Sequence, residues 1–110
     1  MGLFTALFGN SNQASRGQKR LDHTVIISFY YGLKDVKPLN LLEEQLKKTI
    51  EEKLLGEYDG YEISDDLKQG SVYMNGSNAE DLFKGIKVVL ENFSFMRGAK
   101  AKLIFGNTEK

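Results

Sequence analysis

Four short stretches of the chain read as β-strands and two longer ones as amphipathic helices. The segment from His23 to Tyr31 is dense in β-branched and aromatic residues and stops at Gly32, which predicts a first strand with Val25, Ile27 and Phe29 on one face. Pro38 suits a first helical turn, and after it Leu39, Leu42, Leu46, Ile50 and Leu54 recur at helical spacing. The other side of that helix carries Glu43, Glu44, Lys47 and Lys48, and Gly56 is expected to supply the left-handed stop. Tyr58 to Ile63 and Ser71 to Asn75 predict two short strands, joined by the polar turn Ser64 to Gly70 into an antiparallel hairpin. Ser77 and Glu80 make a capping-box pattern ahead of a second helix, expected from about Asn78 to Asn92 with Leu82, Ile86, Val89 and Phe93 as its apolar stripe. Ala99 to Phe105 alternates again, with Ala101, Leu103 and Phe105 on one face and Lys100, Lys102 and Ile104 on the other.

This β-α-β-β-α-β order predicts an α+β fold, a ferredoxin-like two-layer sandwich with a four-stranded antiparallel sheet and two helices on one face. The helices are expected to bury Val25, Ile27, Phe29, Val72, Met74, Leu103 and Phe105, leaving the opposite sheet face open. Residues 21–106 are expected to form one domain. Ahead of it, residues 1–20 combine an apolar segment, Leu3, Phe4, Leu7 and Phe8, with a polar linker, and residues 107–110 form a tail.

Composition narrows the chemistry. A chain of 110 residues holds one core, and 41% hydrophobic residues with a single Pro match an ordinary globular domain. Fifteen basic residues balance fifteen acidic ones, which gives no net field for nucleic acid or an anionic membrane. The absence of Cys excludes disulfides, thiolate catalysis and Cys-based metal sites, and fits a reducing compartment. No apolar run approaches the roughly 20 residues a bilayer requires, and neither a secretory signal nor a cofactor motif is visible, so the chain reads as cytoplasmic, cofactor-free and without a membrane or nucleic-acid partner.

Two surfaces remain as candidates. Alternation from the buried set places Ile26, Tyr30, Tyr58, Tyr73 and Ile104 on the open sheet face, where aromatic and apolar side chains on a rigid support suit contact with a protein partner or a second copy. RNA-recognition domains stack bases on aromatic residues of the same central strands, but their basic Gly-aromatic signature is missing around Ser71 to Asn75. Glu57, Asp59, Glu62, Asp65 and Asp66 gather on and around the hairpin; their spacing fits no calcium loop, so they are expected to hold no metal and to offer an acidic surface for a basic partner. His23, the one histidine, has only Asp22 beside it in sequence and no evident nucleophile, so no catalytic residue is expected, and an enzyme or small-ligand binder, which requires a polar cavity, is the third reading.

The order Gly56-Glu57-Tyr58-Asp59-Gly60, Val72-Tyr73-Met74-Asn75-Gly76, Ala79-Glu80-Asp81-Leu82-Phe83 and Gly98-Ala99, ending at Phe105-Gly106, resembles a group of short uncharacterised bacterial proteins. The resemblance spans roughly His23 to Gly106 and implies a free-standing cytoplasmic α+β domain with no assigned reaction or cofactor. Proteins of this general build also resemble immunity proteins, which block a toxin through an acidic or aromatic face, a role the acidic hairpin would suit.

Overall fold

The computed structural model describes residues 22–106; the apolar segment at Leu3 to Phe8, the polar linker and the tail at 107–110 lie outside the described residues. The elements run β1 (His23–Tyr30), α1 (Lys37–Glu52), β2 (Glu57–Ile63), β3 (Gln69–Gly76), α2 (Ala79–Glu91), a 3-10 turn at Ser94–Met96, and β4 (Lys100–Ile104). The sheet order is β2-β3-β1-β4 and every neighbouring pair is antiparallel, which is the order of a ferredoxin-like sandwich. Its two helices pack on one face. Each βαβ half places a helix between two strands that are separated in the sheet by a strand of the other half, so the core closes only when both halves are present.

Val25, Ile27, Val72 and Met74 from the sheet meet Leu39, Leu42, Leu46 and Ile50 of α1 and Leu82 and Ile86 of α2, all with at most 2% of their surface exposed. An aromatic group closes one end of this core: Tyr31 packs edge-on against Phe95 with ring centroids 5.0 Å apart, and Phe29 and Phe93 each lie 5.6 Å from Phe95. The sequence between α2 and β4 carries no periodic signal. Yet the 3-10 turn there buries Phe95 and Met96. Phe105, by contrast, lies beyond β4 and is half exposed, its ring set edge-on against His23 at 5.5 Å rather than under the helices. β4 ends a residue too early to carry it onto the helix face.

Both helix ends differ from the sequence expectation for local reasons. The left-handed residue that closes α1 is Leu54 (φ 55°); Gly56 (φ 143°) also has a positive φ but comes two residues after that stop. Leu54 N–H donates to Glu51 O and Leu55 N–H to Ile50 O, the paired bonds of a Schellman stop. This turns Leu54 out to solvent and brings Leu55 onto the core. Gly56 serves a different need: its backbone presses on the Asn75 carbonyl, where a Cβ would overlap it. At the start of α2 the cap is Asn78, whose side chain accepts from Asp81 N–H at 3.0 Å, so Ser77 stands outside the helix. His23 Nδ1 accepts from Ala79 N–H at 2.9 Å and so satisfies another of the free donors of that helix end.

Candidate functional site

Strand register assembles the open face in rows. Glu62, Ser71, Ser28 and Lys100 form one row from β2 across to β4; Gly60, Tyr73, Ile26 and Lys102 form the next; Glu57, Asn75, Thr24 and Ile104 form the third. Tyr73 and Ile26 therefore sit side by side on the two central strands, half-buried by their neighbours. Ile104, at the β4 edge, is 41% exposed, and Tyr30, at 60%, stands beyond the rows with its ring folded back over Gly32. Four of the five expected contact residues lie on this face, Ile26 and Tyr73 at its centre, Ile104 at one edge and Tyr30 at one end. β2 contributes an acidic margin and β4 a basic one.

Tyr58 is the exception, and its placement corrects the alternation. It pairs with Met74 on the helix face, because the β2 register shifts between Tyr58 and Gly60 and leaves Asp59 as an extra, bulged residue. Simple alternation places residues 58, 60 and 62 on one face. The bulge moves Tyr58 to the other, where it packs against the core with the Lys47 ammonium 5.9 Å from its ring centroid. Its hydroxyl is buried beside the Glu43 carboxylate without a hydrogen bond of acceptable geometry among the described residues, and burial first, then that carboxylate, holds its pKa far above the ordinary phenol value. The glycine inside a strand pattern, Gly60 at φ 118°, is the signal in the sequence that points to the bulge.

Polar groups on the open face are tied to one another. Tyr73 Oη donates to a Glu62 carboxylate oxygen at 2.9 Å, which fixes the ring's direction across the β2–β3 pair. Burial, and then Glu62, raises the Tyr73 pKa, so it stays a neutral donor at any physiological pH. The Ser28 and Ser71 hydroxyls meet at 3.3 Å, and Thr24 Oγ1 donates to Asn75 Oδ1 at 3.0 Å. Asn75 also meets the Asp59 carboxylate, whose pKa burial raises and this hydrogen bond partly restores.

The acidic residues do not make one surface. Glu57 and Asp59 stand at the start of β2, whereas Asp65 and Asp66 belong to the turn at its far end, and a strand of this length separates them by about 20 Å. Asp66 has structural work in that turn: it accepts from Ser64 Oγ at 2.6 Å and from Lys68 N–H at 3.0 Å, and these bonds, the Ser64 hydroxyl first, hold its pKa below the ordinary value. No group of three or more His, Cys, Asp or Glu side chains among the described residues is placed to hold a metal ion.

A shallow groove of about 520 Å³ lies elsewhere, on the helical side, lined by Leu33, Lys37, Pro38, Leu41 and Phe93 among others. Neither His23 nor any hairpin carboxylate reaches it, so it brings a single charged group and no acid-base pair together. No helix among the described residues is long and apolar enough to cross a membrane. No family model matches the chain, and the curated proteins and solved structures likewise contain no match to it.

Proposed function

We propose that this chain is a non-catalytic protein-binding module that uses the open face of its sheet. One observation carries the reading: Ile26 and Tyr73, apolar and aromatic groups at the centre of a rigid four-stranded sheet, have no covering layer among the described residues, while the helices cover only the other face. Hydrogen bonding from Tyr73 to Glu62 pre-orders the ring, so little side-chain freedom is lost on contact. The acidic-hairpin reading has less support, since its residues divide between the two ends of β2 and Asp66 is engaged by its own turn.

The test is a comparison of baits in lysate from the protein's own source. A stoichiometric protein retained by the native chain and lost by Tyr73→Lys, with both baits showing the same circular dichroism, is the expected result. Identical retention by both baits, or retention by neither, would refute the reading.

A further inference from the structure

The open face carries an ordered gradient of charge, and that order selects both an occupant and a geometry. In the row Glu62-Ser71-Ser28-Lys100 an acid stands on one edge strand and a base on the other, with two hydroxyls between. We propose that the face binds a second copy of this chain, sheet against sheet, about a two-fold axis that runs along the strands between β1 and β3. This rests on the reading of the face as a protein-binding surface.

A two-fold axis in that direction exchanges the two edges and preserves each row. β2 then lies over the partner's β4 and β3 over the partner's β1, so Glu62 meets the partner's Lys100 and Tyr73 meets the partner's Ile26. Symmetry makes every such pair twice. Turning the axis across the strands instead, through the central row, would lay β2 on β2 and β4 on β4, with Glu62 over the partner's Glu57 and Lys102 over the partner's Lys102, which like-charge repulsion opposes. Sheets packed face to face align within about 30°, which moves the edge residues by about 4 Å, within the reach of a lysine side chain.

The size of the face bounds the affinity. Four strands at the usual spacing and the seven residues from Thr24 to Tyr30 give a projected area of about 400 Å² per protomer, about 800 Å² in all and below the roughly 1,200 Å² at which stable interfaces begin, so the dimer is expected to be weak and transient, with a Kd of about 100 µM.

The experiment is sedimentation equilibrium on the full chain from about 5 to 500 µM, a range set around that affinity. It compares the native protein with Glu62→Lys, Lys100→Glu, the double swap, and an equimolar mixture of the two single variants. Native dimer is expected, with each single reversal weakening it about tenfold or more because the changed pair occurs twice. Affinity should return in the double swap and in the mixture, whose heterodimer restores both attractive pairs. Glu62→Gln, which keeps an acceptor for Tyr73, guards against a folding defect and should weaken the dimer less than the reversal. A native chain that stays monomeric at 500 µM, single reversals without effect, or a double swap that fails to recover would each overturn the proposal. A monomeric native chain that still retains a foreign protein in a Tyr73-dependent way overturns the self-pairing alone, and one that retains none overturns the binding reading as well.

Discussion

Two tyrosines on the helix side of the sheet invite the same substitution with different outcomes. Tyr31, just past β1, is 2% exposed, and its hydroxyl donates to the Asp35 carbonyl while accepting from Leu39 N–H at 3.3 Å. Val36 provides no side-chain cap for α1, so Tyr31 does from a distance what a Ser or Asp cap does locally. Tyr31→Phe keeps the ring and its edge-on packing but removes both bonds, leaving the buried Leu39 donor without a partner, at a cost of about 2 kcal/mol. For a domain of this size that lowers Tm by about 10 °C. Tyr58→Phe deletes the same atom from a buried site where, beside Glu43, it has no hydrogen bond of acceptable geometry among the described residues, so stability should be unchanged or higher by up to about 1 kcal/mol. Urea unfolding followed by far-UV circular dichroism measures both, since the chain has no Trp to report by fluorescence. Equal losses in the two variants would refute the argument, because they would show that the hydroxyls are equally well satisfied or equally irrelevant.

Two further substitutions test local features. Leu54 adopts a left-handed conformation at φ 55° with 81% of its surface exposed, so Leu54→Gly relieves about 1 kcal/mol of backbone strain against a small loss of burial, and a net gain of about 0.5 kcal/mol should appear as a Tm rise of about 3 °C; a lower Tm would mean the side chain packs in solution. Asp59 has a raised pKa, so its folded form holds a proton more tightly than the unfolded chain does, and its contribution to stability is present below about pH 3.8 and lost as pH rises through the folded value. Asp59→Asn should therefore be the more stable protein at pH 7, by well under about 1 kcal/mol because water still screens the group, and the advantage should vanish in acid; a pH series of thermal melts in which the gap widens toward acid would contradict this.

The elements and their order follow from periodicity because the core is assembled from residues whose spacing is regular, such as Leu39, Leu42, Leu46 and Ile50 on α1 and Val25, Ile27 and Phe29 on β1. What period-counting loses is every place where the spacing breaks. One extra residue at Asp59 inverts the face of Tyr58, and one Schellman turn expels Leu54 and recruits Leu55. Phe95 and Met96 enter the core from a turn too short to show any period. The candidate face was legible where its strands are regular: alternation from the buried set puts Ile26 and Tyr73 on one face, and the β1–β3 register then makes them neighbours. The charge gradient across it was not, because it depends on which strands pair and in what register, a property of the assembled sheet rather than of any one strand.

The same sheet bears on how a partner is met. An exposed strand edge usually invites pairing with another chain, and this sheet has two of them, β2 and β4. Each is blunted in its own way. The bulge at Asp59 and Gly60 interrupts the hydrogen-bonding row of β2, and β4 is only five residues long and carries Lys100 and Lys102. Addition of a further strand is therefore disfavoured at both edges. Among the described residues the wide face between them has no such protection: Tyr73 and Ile26 occupy its centre, and the charges stand at its margins, where they could orient an approaching surface without having to be buried. The proposed binding role therefore entails contact face to face rather than by strand addition. Under the proposed pairing Lys100 and Lys102 serve twice, guarding the β4 edge against strand addition and supplying the basic margin that a second copy's acidic β2 would meet.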